Sequence, residues 1–84
     1  MDVERTIGGV LGERVRELRK KRGLTQVEFS ERCGVPQSRI SAIENGTRVP
    51  NVETVLRLAQ ALNCKVSTLM AAFDHEDLSA LLSR

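Results

Sequence analysis

The side chains best placed to do chemistry in this sequence are amides and hydroxyls. On a helical wheel of about 100° per residue, Gln37, Ser38, Ser41 and Asn45 gather within about 100° of arc. Ile40 and Ile43 lie within about 60° of each other on roughly the opposite side. Such a helix buries one face and offers uncharged hydrogen-bonding groups on the other. An ordinary solvated face carries Lys and Glu, whereas this one suits base edges and phosphates. A Gln amide, for example, can pair bidentately with adenine N6 and N7.

Charge gives a second signal. Residues 13–22, ERVRELRKKR, hold six bases (Arg14, Arg16, Arg19, Lys20, Lys21, Arg22) against two acids (Glu13, Glu17). Residues 74–77, DHED, hold three acids and no Lys or Arg. The basic cluster points to a phosphate-facing surface, although most charge runs are solvated helix faces.

Other chemistry is poorly supplied. Cys33 or Cys64 with His75 is the only nucleophile–base pairing available, and no oxyanion-type motif accompanies it, so no enzyme is expected. Both Cys sit among apolar neighbours and read as small buried residues of a cytoplasmic protein. With His75 they are three soft ligands without close ligand-pair spacing, so neither a metal nor another cofactor is expected. The absence of Trp and Tyr argues against a stacking platform for single strands or RNA.

These side chains must be positioned by a small framework. The chain has 84 residues, a net charge of +2 and two Phe as its only aromatics, with 40% hydrophobic residues. That bounds it to one small domain packed by Leu, Ile, Val and Ala, in which only roughly 60% of the unfolded surface is buried. Dimerisation would help such a domain. No apolar run approaches the ~20 residues of a membrane span. The start, MDVERTIGGV, lacks the basic and apolar regions of a signal peptide.

The apolar spacing is helical almost throughout, so the fold class is all-α. Leu11, Val15 and Leu18 predict a first helix from about Gly9 to Arg22, with residues 1–8 a loose arm because Gly8-Gly9 disfavours helix. Thr25 and Glu28 form a capping box for a short second helix with Phe29 and Cys33 inward, and Gly34 suits its left-handed end. Pro36 suits the first position of a third helix, which Asn45-Gly46 ends. Asn51 caps a fourth helix with Val52, Val55, Ala59 and Leu62 inward. Asn63 fits a left-handed end, and a fifth helix spans Val66–Phe73. Cys64, Val66, Thr68 and Met70 alternate weakly, which leaves a strand there as an alternative. Leu78, Leu81 and Leu82 are spaced for a short sixth helix. The division is then an arm (1–8), a helical domain (9–73) and a tail (74–84).

Two short helices joined by a tight Gly-containing turn are a helix-turn-helix. From RELRKKRGLTQVEFSERCGVPQSRISAIENGTRVPNVETVLRLAQALNC onward to Leu69, the sequence resembles the Cro/C1-type (XRE) family of small bacterial and phage regulators. The resemblance implies a five-helix, lambda-repressor-like domain whose third helix enters the major groove. It implies base contacts from Gln37, Ser38 and Ser41, and phosphate contacts from Gln26, Arg39 and Asn45. A helix start suits Gln26 to an anion, through its free N–H groups and dipole. Arg19 and Glu44 match a partly buried ion pair that orients the recognition helix. Three positions depart from the family pattern. Ser30 replaces a usual Ala and is expected to bond back to the Gln26 carbonyl. Pro36 replaces a Ser/Thr cap, and Lys65 stands where a cap for the fifth helix is common.

The function implied is a sequence-specific regulator, a repressor, binding a palindromic double-stranded operator as a homodimer. An antitoxin with a toxin partner and a restriction–modification controller protein are variants. An interaction adaptor that lost DNA binding is the alternative of a different class. For the homodimer, Leu69, Met70, Phe73, Leu78, Leu81 and Leu82 form an apolar surplus that predicts an interface through the fifth helix and tail, with DHED turned away from DNA. The expected core is Leu18, Phe29, Ile40, Ile43, Val55 and Leu62.

Overall fold

The computed structural model describes residues 5–83. Six α-helices follow one another: α1 (Ile7–Lys21), α2 (Gln26–Cys33), α3 (Gln37–Glu44), α4 (Val52–Ala61), α5 (Val66–Met70) and α6 (Leu78–Leu82). A 3-10 turn, Ala71–His75, continues α5. No strand occurs among the described residues.

Local chemistry explains most boundaries. The Thr25 hydroxyl accepts from the Glu28 N–H at 3.1 Å while the Glu28 carboxylate accepts from the Thr25 N–H at 2.9 Å. This reciprocal box satisfies two donors at the start of α2. It also holds the Glu28 carboxyl below the usual range, chiefly through the Thr25 backbone N–H. Gly34 ends α2 at φ 72°, a conformation that costs glycine little. Asn51 caps α4 by accepting from the Thr54 N–H at 2.8 Å, and Asn63 turns left-handed at φ 52°. Lys65 precedes α5 without a side-chain cap, and Asp77 caps α6.

The first helix starts earlier than its glycines suggest. Thr6 caps it, accepting from the Gly9 N–H at 2.9 Å, so α1 runs straight through Gly8-Gly9. Packing overrides propensity here. A Cβ on Gly8 would lie 2.6 Å from the Gly46 carbonyl oxygen, and one on Gly12 would lie 2.1 Å from that of Ile43. The two missing side chains let α1 rest directly on the C-terminal end of α3. Residues 5–8 therefore belong to the helical body; the remaining arm positions, 1–4, lie outside the described residues.

The core gathers Val15 and Leu18 from α1, Phe29 from α2, Ile40 and Ile43 from α3, and Leu58 and Leu62 from α4, with Leu69 from α5. On α4 the inward face is rotated from the expected one. Val52 is 76% exposed and Val55 only half-buried, while Leu58 is fully buried. Asn51 and the first turn of α4 project from the body, so the helix enters the core one turn later. The tail is also partly internal. Leu69 and Leu81 are buried within the chain itself and Phe73 packs against the core. These three close the monomer, which corrects their assignment to a partner surface. Met70, Leu78 and Leu82 remain exposed. Cys33 is buried, and desolvation pushes its thiol up; Cys64 is only half-buried. The Ser30 hydroxyl donates forward to the Val35 carbonyl at 2.5 Å rather than back to Gln26, stitching α2 across the turn.

Candidate nucleic-acid interface

The turn Gly34–Pro36 swings α3 across α2 so that Ile40 and Ile43 enter the core with less than 2% exposure. The opposite face is thereby forced outward. Gln37, Ser38, Arg39 and Asn45 are exposed and Ser41 is half-buried. Pro36 is the N-cap of α3: its carbonyl accepts from the Arg39 and Ile40 N–H groups at 2.9 and 3.0 Å, and it offers no side-chain cap. The helix thus opens with unbonded N–H groups beside Gln37, a favourable place for an anion.

The far end of α3 is held by one carboxylate. Glu44 accepts from Arg19 Nε at 2.7 Å and Nη2 at 2.9 Å, from Gln26 Nε2 at 3.1 Å and from Arg16 Nε at 3.5 Å. Burial pushes its carboxyl up, but the bonds from Arg19, Gln26 and Arg16 outweigh this and hold it below the usual carboxylate range. The same bond from Glu44 raises the Arg19 guanidinium. Arg19 also donates to the Leu24 carbonyl at 2.8 Å. Through this one hub α1, α2 and α3 are locked in relative orientation. Gln26 uses one amide N–H on Glu44 and keeps the other at the surface.

The basic cluster of α1 resolves into two groups. Arg14 donates to the Thr68 carbonyl at 3.2 and 3.0 Å, Arg19 is buried on Glu44, and Arg22 donates to the Leu62 carbonyl at 2.8 Å and that of Asn63 at 3.4 Å. Three of the six cations therefore hold the fold together rather than forming one phosphate-facing patch. Arg16 is different: its Nη2 donates to Asn45 Oδ1 at 3.1 Å, on the same face as α3's exposed end. Arg48, in the TRVP loop, lines a shallow hollow of about 150 Å³ with Arg39, Val49, Pro50, Asn51 and Thr54. In the sequence TRVP reads only as a connection, and its one signal is a cation soon after the recognition helix. Gln26, Gln37, Ser38, Arg39, Ser41 and Asn45 are all brought to the surface of the α2–α3 pair, at its two ends. His75 lines a separate hollow with Arg5, Glu13 and Arg14 and meets neither cysteine there.

A tight two-helix unit with an exposed polar face on its second helix defines a helix-turn-helix protein. The helix-turn-helix family model HTH_3 matches residues 15–69. The chain is 38% identical over 65 residues to the uncharacterized HTH-type transcriptional regulator y4dJ of Sinorhizobium fredii, covering 77% of this chain and 84% of that one. It is 43% identical over 60 residues to the HTH-type transcriptional repressor RghR of Bacillus subtilis, covering 70% of this chain and 44% of the relative's length. The crystal structure of the restriction-modification controller protein C.AhdI from Aeromonas hydrophila superposes with a TM-score of 0.72 at 32% identity, over 74% of this chain and 94% of that one. The chain belongs to the helix-turn-helix family of transcriptional regulators.

Proposed function

We propose that this regulator is a repressor that binds a two-fold symmetric duplex operator as a homodimer. One observation carries the reading: α3 presents Gln37, Ser38 and Ser41 outward while the Glu44 hub holds it rigidly on α1 and α2. Gln37, at the helix start, reads an adenine edge. Ser38 and Ser41 lie close enough in arc to address neighbouring base edges. Gln26, Arg39 and Asn45 bond to phosphates on either side, and Arg48 adds to the Arg39 end. Phosphate contacts set register and orientation, and base contacts set sequence.

A single recognition helix reads too few base pairs for a useful specificity ratio over a genome. Two copies related by two-fold symmetry place their helices about one turn, roughly 34 Å, apart. The exposed apolar side chains Met70, Leu78 and Leu82, with Val66 beside Met70 in helical spacing, supply a surface for that contact. The repressor reading is supported by the named repressor among its relatives. A controller-protein role is supported by the likeness to C.AhdI, which extends over 94% of that chain. A toxin partner and an adaptor role find no such support.

Selection from randomised duplexes tests the reading. An enriched motif with two inverted halves is expected, and Gln26→Ala and Asn45→Ala should weaken enriched and random duplexes by similar factors. A pool that shows no enrichment over a salt-dependent background would leave the adaptor role standing.

A further inference from the structure

We infer that Arg16 and Asn45 form a two-residue phosphate clamp at the C-terminal end of the recognition helix, a deepening that rests on the DNA-binding reading above. Of the six cations in residues 13–22, Arg14, Arg19 and Arg22 bond to groups inside the body. Arg16 reaches from α1 to α3 and stays at the surface, its side chain 44% exposed. Its Nε is directed to Glu44 Oε1 and its Nη2 to Asn45 Oδ1, which fixes the plane of the guanidinium. Among the described residues Nη1 makes no hydrogen bond, so one edge of the fork faces out.

The bond to Asn45 has a second consequence. By occupying Oδ1 it turns the Asn45 amide so that Nδ2, the donor, points away from Arg16. A phosphate oxygen is an acceptor only, and it needs donors. Without Arg16 the Asn45 amide can present either end; with it, the N–H end is presented beside a fixed positive charge. A guanidinium and an amide in this arrangement give an anion two donors from two elements, with one full charge. Glu44 does not cancel that charge, because Arg19 already engages both of its oxygens. Arg16 is thus the position where the basic character of α1 reaches the end of α3. Lys20, one turn further along the same stripe, is exposed and extends it.

The test is a salt titration of duplex binding by fluorescence anisotropy, with the full chain and a labelled mixed-sequence duplex. Loss of one phosphate contact per protomer lowers the slope of log affinity against log salt by about 0.9, which is about tenfold in affinity near 50 mM salt. Arg16→Gln is expected to lower the slope by that amount and to weaken all duplex sequences alike. Arg16→Lys should keep the slope and lose part of the affinity, because Lys keeps the charge without the fork that orients Asn45. Combining Arg16→Gln with Asn45→Ala should cost less than the two changes added together. Thermal melting of each variant establishes that it is folded, as expected at an exposed position. If the unaltered chain binds no duplex at low salt, the DNA-binding reading fails and the clamp with it. If it binds, and Arg16→Gln keeps the full slope while folded, the clamp alone is overturned.

Discussion

Arg19 on α1 and Glu44 at the end of α3, 25 residues apart, are joined by two charge-assisted hydrogen bonds of 2.7 and 2.9 Å inside the body of the protein. Both partners are nearly inaccessible, at 9% and 5% exposure. Desolvation offsets much of the attraction in such a pair, so its main effect is directional. The planar fork of Arg19 admits one orientation of Glu44, and Glu44 is the last residue of the recognition helix.

Breaking the pair from one side leaves a buried charge without a partner. Glu44→Ala is expected to destabilise by about 3–5 kcal/mol, measured by urea denaturation. The pH dependence follows from the lowered Glu44 carboxyl. A carboxyl below its ordinary value of 4.5 contributes stability at neutral pH, and that contribution is lost as pH falls below about 4.5 and through the folded-state value. Glu28 is lowered too and adds a smaller loss in the same direction. Glu44→Gln should therefore flatten the acid limb of the stability curve without abolishing it. An acid limb identical to the parent's would show that Glu44 titrates alike in the folded and unfolded chains.

Gly12 is where the framework and the site meet. A Cβ at this position would stand 2.1 Å from the Ile43 carbonyl oxygen, so any side chain forces α1 and α3 apart. Gly12→Ala gains helix propensity of about 1 kcal/mol and is nevertheless expected to destabilise, by about 1–3 kcal/mol net of repacking. Duplex affinity should fall with it, since Arg19 and Arg16 move with α1. A raised melting temperature in Gly12→Ala would refute the close-contact account.

Gln37 carries the reading of sequence. Gln37→Ala should cost about 1–3 kcal/mol on the preferred duplex and flatten base preference at one position of each half-site. The salt slope should stay unchanged. An identical selected motif for the parent and the variant would remove Gln37 from base contact.

The tail decides self-association. Leu78 and Leu82 are exposed on α6 at 51% and 69%. Changing both to Ser is expected to shift the sedimentation-derived mass toward the monomer while melting stays close to the parent's. Leu81→Ser, by contrast, places a hydroxyl in the core and should lower stability first. A double Ser variant that still sediments as a dimer would move the interface elsewhere on the chain.

Local chemistry was legible in the sequence wherever the deciding partners are near neighbours. The Thr25–Glu28 box, the Asn51 cap, the left-handed Gly34 and Asn63, and the split of α3 into apolar and polar faces depend on residues within a turn or two. Capping and periodicity act at that range. Arg19–Glu44 was legible for a different reason: the family resemblance pairs those positions.

The tertiary structure decided what long-range packing controls. Propensity starts α1 at Gly9, but Gly8 and Gly12 serve contacts with Gly46 and Ile43, more than 30 residues away. Periodicity places Val52 inward on α4, yet only the docking of that helix shows that its first turn overhangs the body. The leucines of the tail share one spacing, so their pattern could not separate Leu81, which the core needed, from Leu78 and Leu82. The basic run on α1 looks uniform because charge is counted without partners. Folding placed Arg14 and Arg22 on backbone carbonyls and Arg19 on a carboxylate, and left Arg16 beside Asn45, since a helix turns each successive side chain toward a different neighbour.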